Sequence, residues 1–267
     1  MNLGFEKIKI VYYTDPLCST CWSFEPYIQK FLSEYSLFID FEIRMGGLLK
    51  DFAGLPQLES KSTNSEHLLK LWQSESKKYG IHLESDIWTK KQIKSSFPAS
   101  EAFCAIQMQS ADKADVFLRL LRESLFLLGK DISETAVINT CAMLSNIDFI
   151  KFKSDLKSGE ALKIFQFQID ERKKDKVRFF PSFVIENSLG ERRKIVENPN
   201  FNTFHDVINQ LEIYFNELTE GRILKKNSLQ NPLDILKKYE MLCISELKVL
   251  SGLNEKKNTK SNRQCIQ

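Results

Sequence analysis

The sequence predicts an α/β protein: a mixed sheet opened by a strand, a tight turn and a helix, with a large all-helical insertion and a short helical C-terminal extension. Three observations predict it. An apolar run with strand character, Ile8, Ile10, Val11, Tyr12 and Tyr13, leads directly into Cys18-Ser19-Thr20-Cys21 and then into a helical pattern. From about Asp51 to Leu156 the apolar residues give no convincing strand, only helical spacing. Strand signals then return at Ser182 to Ile185 and at Arg193 to Val196, ahead of a last amphipathic stretch.

Taken in order, Trp22, Phe24, Ile28, Phe31 and Leu32 recur near helical spacing and give a first helix to about Ser33, with Pro26 inside it expected to kink it. Residues 37 to 44 read as a second strand, parallel to the first through a right-handed crossover. Met45-Gly46-Gly47-Leu48-Leu49 turns away from the sheet. The segment that follows is too long for a connecting loop and is expected to be a helical subdomain. Apolar residues at 103, 106, 117, 118, 120, 121, 125, 127 and 128 form its helical faces, and Asp131-Ile132-Ser133-Glu134 resembles a capped helix start. Trp72, Trp88, His67 and His82 lie in its less regular half, the histidines read as surface or core residues rather than ligands.

A helix over 159 to 175 precedes the strand at Ser182 to Ile185, and a turn at Asn187-Ser188-Leu189-Gly190 makes a hairpin with Arg193 to Val196. Phe204 to Leu218 closes this part as a helix. Beyond about Glu220, short helices are expected from Asn231 to Tyr239 and from Cys243 to Leu250, with a disordered lysine-rich tail from Asn254 to Gln267 that leaves Cys265 exposed. The expected domains are therefore 5–50 with 155–220, an insertion at 51–154, and an extension at 221–267.

Composition narrows the classes. Apolar and charged fractions of 42% and 27% are those of an ordinary globular protein, and a net charge of +3 is too small to argue for nucleic acid. No apolar run reaches the length of a membrane span, and the first strand begins within eight residues, too soon for a secretory leader; a cytoplasmic protein is expected. In a reducing compartment six cysteines suit free thiols or a catalytic pair better than structural bridges, and Cys104, Cys141 and Cys243 read as small buried hydrophobes. A structural zinc site needs four ligands, of which one Cys-x-x-Cys and three dispersed histidines supply half. Neither a metal nor a cofactor is expected.

The chemistry sits at the cysteines. Strand, turn, Cys-x-x-Cys and helix form the opening of a thioredoxin-type redox domain. Only a thiolate is a nucleophile, and the unpaired N–H groups at a helix N-terminus stabilise one. Cys18, at that end, is the expected attacking thiol and Cys21, one turn in, the resolving thiol. The thioredoxin order brings the Ser182 strand beside the first, with Pro181 facing the pair. A cis bond between Phe180 and Pro181 would turn the backbone so that flanking amide and carbonyl groups pair with an extended substrate. Phe180, Ser182, Trp22 and Pro16 make up the expected substrate-binding set.

These residues resemble the DsbA-like thioredoxin proteins, and within them the cytosolic branch near FrnE-type oxidoreductases. The matching pieces are 12 to 26 (Tyr-Tyr-Thr-Asp-Pro-Leu-Cys-x-x-Cys-Trp-Ser-Phe-Glu-Pro), 44 to 48, 97 to 102, 121 to 132 and 180 to 185. The resemblance implies a thioredoxin fold with an all-helical insertion, a redox-active Cys18 and Cys21, a cis-Pro181, and protein or small thiol and disulfide substrates. A second branch with a similar opening acts as an adaptor that delivers a transcription regulator to the Clp protease, which implies a Clp-protease partner and places protein binding ahead of thiol chemistry. Ser19 and Thr20 stand where the best-known oxidase of the family has proline and histidine, which argues against a strong-oxidant role. Small-molecule isomerases of related fold usually place a serine or a single thiol at the motif, and the intact pair argues against that activity.

Overall fold

Ile8–Thr14 forms β1, and all but one of its residues are buried, as a strand covered on both faces requires. The computed structural model describes residues 7–35, 37–52, 64–90, 93–187, 190, 193–197, 202–221, 241–252 and 265–266. With β2 (Ile39–Met45), β3 (Ser182–Glu186) and β4 (Arg193–Glu197), β1 builds a four-stranded sheet of order β2-β1-β3-β4. β1 and β3 are antiparallel, Val11 opposite Val184 and Tyr12 opposite Phe183. β3 and β4 are antiparallel as well, and form the expected hairpin. Gly190 turns that hairpin in the left-handed region, φ +70°, with its N–H donating to the Asn187 carbonyl at 2.9 Å.

The chain divides into two compact units, one comprising Met1–Thr14, Ser23–Arg44 and Lys173–Gln267, the other Asp15–Trp22 and Met45–Arg172. The first holds the sheet, most of α1 (Ser19–Tyr35) and α9 (Phe204–Thr219). Phe24, Ile28 and Phe31 fall on one face of α1 at spacings of four and three, and all are buried. Phe24 meets Phe183 of β3 at 5.7 Å and Phe204 of α9 at 5.2 Å, ring centre to ring centre, and Phe183 stacks on Tyr12 at 4.9 Å. A capping box on Thr203 and Asp206 starts α9.

One polar chain runs through this core. The Tyr13 hydroxyl donates to Asp175 Oδ2 at 2.7 Å and accepts from Arg44 Nη1 at 3.3 Å, and Arg44 also forks onto Glu42 at 2.6 and 3.0 Å. Burial, reinforced by the Asp175 bond, pushes the Tyr13 phenol above its ordinary range. For Glu42 burial works in the opposite sense and loses to Arg44 and Lys9, which hold its carboxyl below the usual value.

The second unit is helical: α2 (Asn64–Tyr79), α3 (Ile87–Lys90), α4 (Phe97–Gln107), α5 (Ala111–Arg122), a π-helical turn (Glu123–Leu127), α6 (Thr135–Leu144), α7 (Phe149–Ser158) and α8 (Glu160–Lys174). Trp72 and Trp88 of its less regular first half lie in the core. Trp72 meets Trp88 at 5.3 Å and Phe126 at 5.0 Å. Gln168 anchors the far side, accepting from the Met45 N–H at 2.7 Å and donating to Gln107 at 2.7 Å. The start of α6 differs from expectation. Asp131 accepts from the Ser133 N–H and hydroxyl at 2.8 and 2.7 Å, a local turn, and the helix begins later, at Thr135, with Glu134 making no side-chain cap bond.

At the C-terminus the Cys243 to Leu250 expectation becomes β5 (Leu242–Cys243) followed by α10 (Ile244–Ser251), with Gly252 as a left-handed cap. The tail is not wholly irregular, since Cys265–Ile266 forms β6 and pairs antiparallel with β5. The helix expected from Asn231 to Tyr239 and the tail at 254–264 lie outside the described residues, as does the side chain of Cys265. Among the described residues no helix is long and apolar enough to cross a membrane.

Candidate functional site

Cys18 immediately precedes α1 and caps it. Its carbonyl accepts the first helical bond, from the Trp22 N–H at 3.0 Å, and its Sγ accepts the Cys21 N–H at 3.1 Å. That is the geometry in which a serine or aspartate oxygen caps a helix, here with sulfur as the acceptor. The two cysteines are joined as a disulfide across Cα atoms 5.2 Å apart. Cys18 is 6% exposed and Cys21 fully buried, so Cys18 is the more accessible of the two sulfurs. When the bond opens, the sulfur that keeps an N–H donor and the positive end of the helix is also Cys18.

The turn before the pair is pinned by Asp15. Its Oδ1 accepts the Leu17 N–H at 2.9 Å, while Oδ2 accepts the Leu48 N–H at 2.7 Å and the Ser96 hydroxyl at 2.9 Å. Asp15 is fully buried, and burial raises its pKa above the ordinary value although these bonds and Arg122 pull the other way. Its carbonyl accepts from the Cys18 N–H at 3.1 Å and from Arg122 Nη2 at 3.4 Å. One aspartate thus ties the motif to the segment after β2, to the start of α4 and to the end of α5.

Trp22 is 1% exposed. It stacks on Phe126 of the π-helical turn at 5.7 Å, carries the Arg119 guanidinium over its ring at 4.5 Å, and donates its indole N–H to the His82 carbonyl at 3.3 Å. Arg119 in turn pairs with the buried Glu123 at 2.6 Å. Pro16 is buried as well. The peptide bond between Phe180 and Pro181 is cis. Phe180 is half-buried against a cluster of Val11, Tyr13, Val177 and Val184, whereas its neighbour Phe179 is 46% exposed. Ser182 is fully buried, opposite Tyr13 on one side and Glu197 on the other, and its hydroxyl donates to the Phe179 carbonyl at 2.5 Å. Among the described residues no three His, Cys, Asp or Glu side chains gather as metal ligands.

Several residues around the motif carried no sequence signal strong enough to assign: Glu75, Ser96, Arg119 and Arg122 are distant in the chain. Asp15 did carry one. An Asp-Pro pair followed by a small turn is a standard side-chain-to-backbone turn signal.

A family model described as thioredoxin matches residues 12–205. The chain belongs to the thioredoxin family. Curated relatives within reach are ClpXP adapter proteins SpxH: that of Halalkalibacterium halodurans is 28% identical over 251 residues, spanning 93% of this chain and 79% of its own, and that of Bacillus subtilis 31% identical over 164 residues, 60% and 52% of the two chains. Solved structures share the fold at lower identity. A putative protein disulfide isomerase from Nitrosomonas europaea superimposes with TM-score 0.67 at 21% identity over 79% of this chain and 99% of its own. The cytosolic disulfide reductase DsbM from Pseudomonas aeruginosa gives 0.60 at 18% identity over 78% and 98%. A probable DsbA oxidoreductase from Streptomyces coelicolor gives 0.60 at 11% identity over 82% and 93%. This family member is therefore DsbA-like in architecture.

Proposed function

We propose that this protein carries out thiol–disulfide exchange through Cys18 and Cys21. The observation that carries the proposal is the capping sulfur: Cys18 Sγ accepts the Cys21 N–H at 3.1 Å at the mouth of α1, in bonding contact with Cys21. The Cys18 thiolate attacks one sulfur of a substrate disulfide, forming a mixed disulfide and expelling the other sulfur as a thiolate that takes a proton. The Cys21 thiolate then attacks Cys18 Sγ, closing the pair and releasing the second substrate sulfur. The substrate gains two electrons and the pair loses two; a dithiol or small thiol donor restores it. In a poise of roughly −220 to −320 mV a pair whose own potential lies above the poise rests as a dithiol, the state that reduction or isomerisation of protein or small disulfides requires. Phe180 and cis-Pro181 are assigned to substrate binding; Ser182, Trp22 and Pro16 are buried and would serve it only as support from within. Cys18→Ser is expected to abolish turnover of a disulfide-linked reporter peptide. Retention of full activity would overturn the assignment.

A second reading is an adaptor that presents a regulator to the Clp protease, with thiol chemistry secondary. It is favoured by the reach of the SpxH match, which extends over 251 residues and so beyond the segment matched by the thioredoxin model. In a pull-down with ClpXP, this reading expects Cys18→Ser and Cys21→Ser to bind as the parent does, whereas changes on the helical unit or C-terminal extension remove binding. A cytoplasmic location is consistent with both readings.

A further inference from the structure

Thr20, between the two cysteines, donates its hydroxyl to Glu75 Oε1 of α2 at 2.7 Å. The other carboxylate oxygen, Oε2, is buried without a hydrogen-bond partner among the described residues. The remaining charges around this turn in the helical unit are committed elsewhere. Asp15 is held by Leu17, Leu48 and Ser96, Arg122 reaches the Asp15 carbonyl, and Arg119 lies over Trp22 and pairs with Glu123. Glu75 therefore brings a carboxylate to the second residue of α1, and among the described residues no Lys, Arg or His pairs with it.

Two anions cannot both profit from one helix end. The backbone N–H groups and dipole of the first turn stabilise whatever negative charge sits there, and like charges in one turn disfavour each other's ionised form. The reduced pair is stabilised to the extent that Cys18 is a thiolate, and a stabilised reduced form is what makes such a pair oxidising. We infer that Glu75 is a positioning residue that sets the redox poise: its carboxylate, fastened through Thr20, weakens the Cys18 thiolate and holds the couple toward its reducing end. This deepens the exchange reading above and rests on it.

Glu75→Gln tests it, because the amide oxygen can still accept the Thr20 bond while the charge is gone. In a Cys21→Ser background, the variant is expected to lower the apparent pKa of Cys18 by about one unit, read as a shifted pH profile and, because a less basic thiolate is a weaker nucleophile, about threefold faster iodoacetamide alkylation below that pKa. With both cysteines intact, the equilibrium constant against glutathione is expected to move tenfold toward the reduced protein, about 30 mV toward oxidising. Thr20→Val, which releases the carboxylate without removing it, should move both readouts in the same direction, by less. A change under about twofold in alkylation for Glu75→Gln, with an unchanged far-UV circular dichroism spectrum, overturns the inference. The alkylation arm needs no disulfide, so a wild-type pair that never oxidises in glutathione buffers sinks the exchange reading separately, while the thiolate measurement still decides the role of Glu75.

Discussion

Replacing Asp15 probes how much of the motif's geometry comes from a single buried carboxylate. Asp15→Ala removes the acceptor of the buried Leu17 N–H, now bonded at 2.9 Å, and of the part-buried Leu48 N–H, now bonded at 2.7 Å. An orphaned buried donor costs about 1 to 3 kcal/mol, and water can reach the part-buried Leu48 N–H, so the substitution should cost about 1 to 4 kcal/mol. Ser96 adds little to that sum, because its hydroxyl already reaches the Leu49 carbonyl at 3.4 Å. Asp15→Asn separates charge from shape: the amide oxygen can serve one N–H, but its NH2 group must then face the other, for about 1 to 3 kcal/mol. The pH dependence has a definite sign. A carboxyl whose folded pKa is raised by burial adds stability below its unfolded value near 4, and that contribution is lost as pH rises through the folded pKa. The wild type should therefore gain on Asp15→Asn as the solution is acidified from neutrality toward pH 4. Urea unfolding followed by far-UV circular dichroism at several pH values measures both effects. Asp15→Ala within about 0.5 kcal/mol of the parent would show that water or neighbouring groups satisfy those donors, and the pinning role would be withdrawn.

Two further outcomes are expected. Gly47→Ala should destabilise by about 1 to 3 kcal/mol in the same unfolding assay, since φ is +70° and a Cβ would stand 3.1 Å from Ile169 Cδ1 and 3.3 Å from the Phe97 ring. Cys104 and Cys141 are buried with thiols pushed up by that burial, so at pH 8 neither should react with a chromogenic disulfide reagent until denaturant is added, whereas reduction of the pair should expose Cys18 to it at once.

The sheet was legible because its strands are local and strongly patterned: Ile8 to Tyr13 and Ser182 to Ile185 carry apolar residues at nearly every position, and the cysteines mark the helix start between them. The proline before β3 was legible for the same reason, since the thioredoxin order left it a single place. The α6 start departs from its sequence signal because Asp131 and Ser133 satisfy each other instead of capping, a choice that spacing alone does not reveal. The short β5–β6 pair leaves no mark in the sequence because two-residue strands have no periodicity. Around the cysteines, Glu75 of α2, Ser96 at the start of α4 and Arg119 and Arg122 of α5 come together from distant parts of the sequence, which records no trace of such convergence.

The sheet topology also bears on how the polypeptide reaches its native state. β1 pairs with β3 across the whole helical unit, Val11 meeting Val184, so the hydrogen-bonding edge of the first strand has no partner there until most of the chain has been synthesised. The helices of residues 64–174 depend on contacts much nearer in sequence and can assemble as they emerge from the ribosome. Until β3 arrives, an apolar strand edge stands open as a template for foreign strands. A nascent chain stalled before residue 182 should therefore be held by chaperones that recognise extended apolar segments, and released once β3 is available.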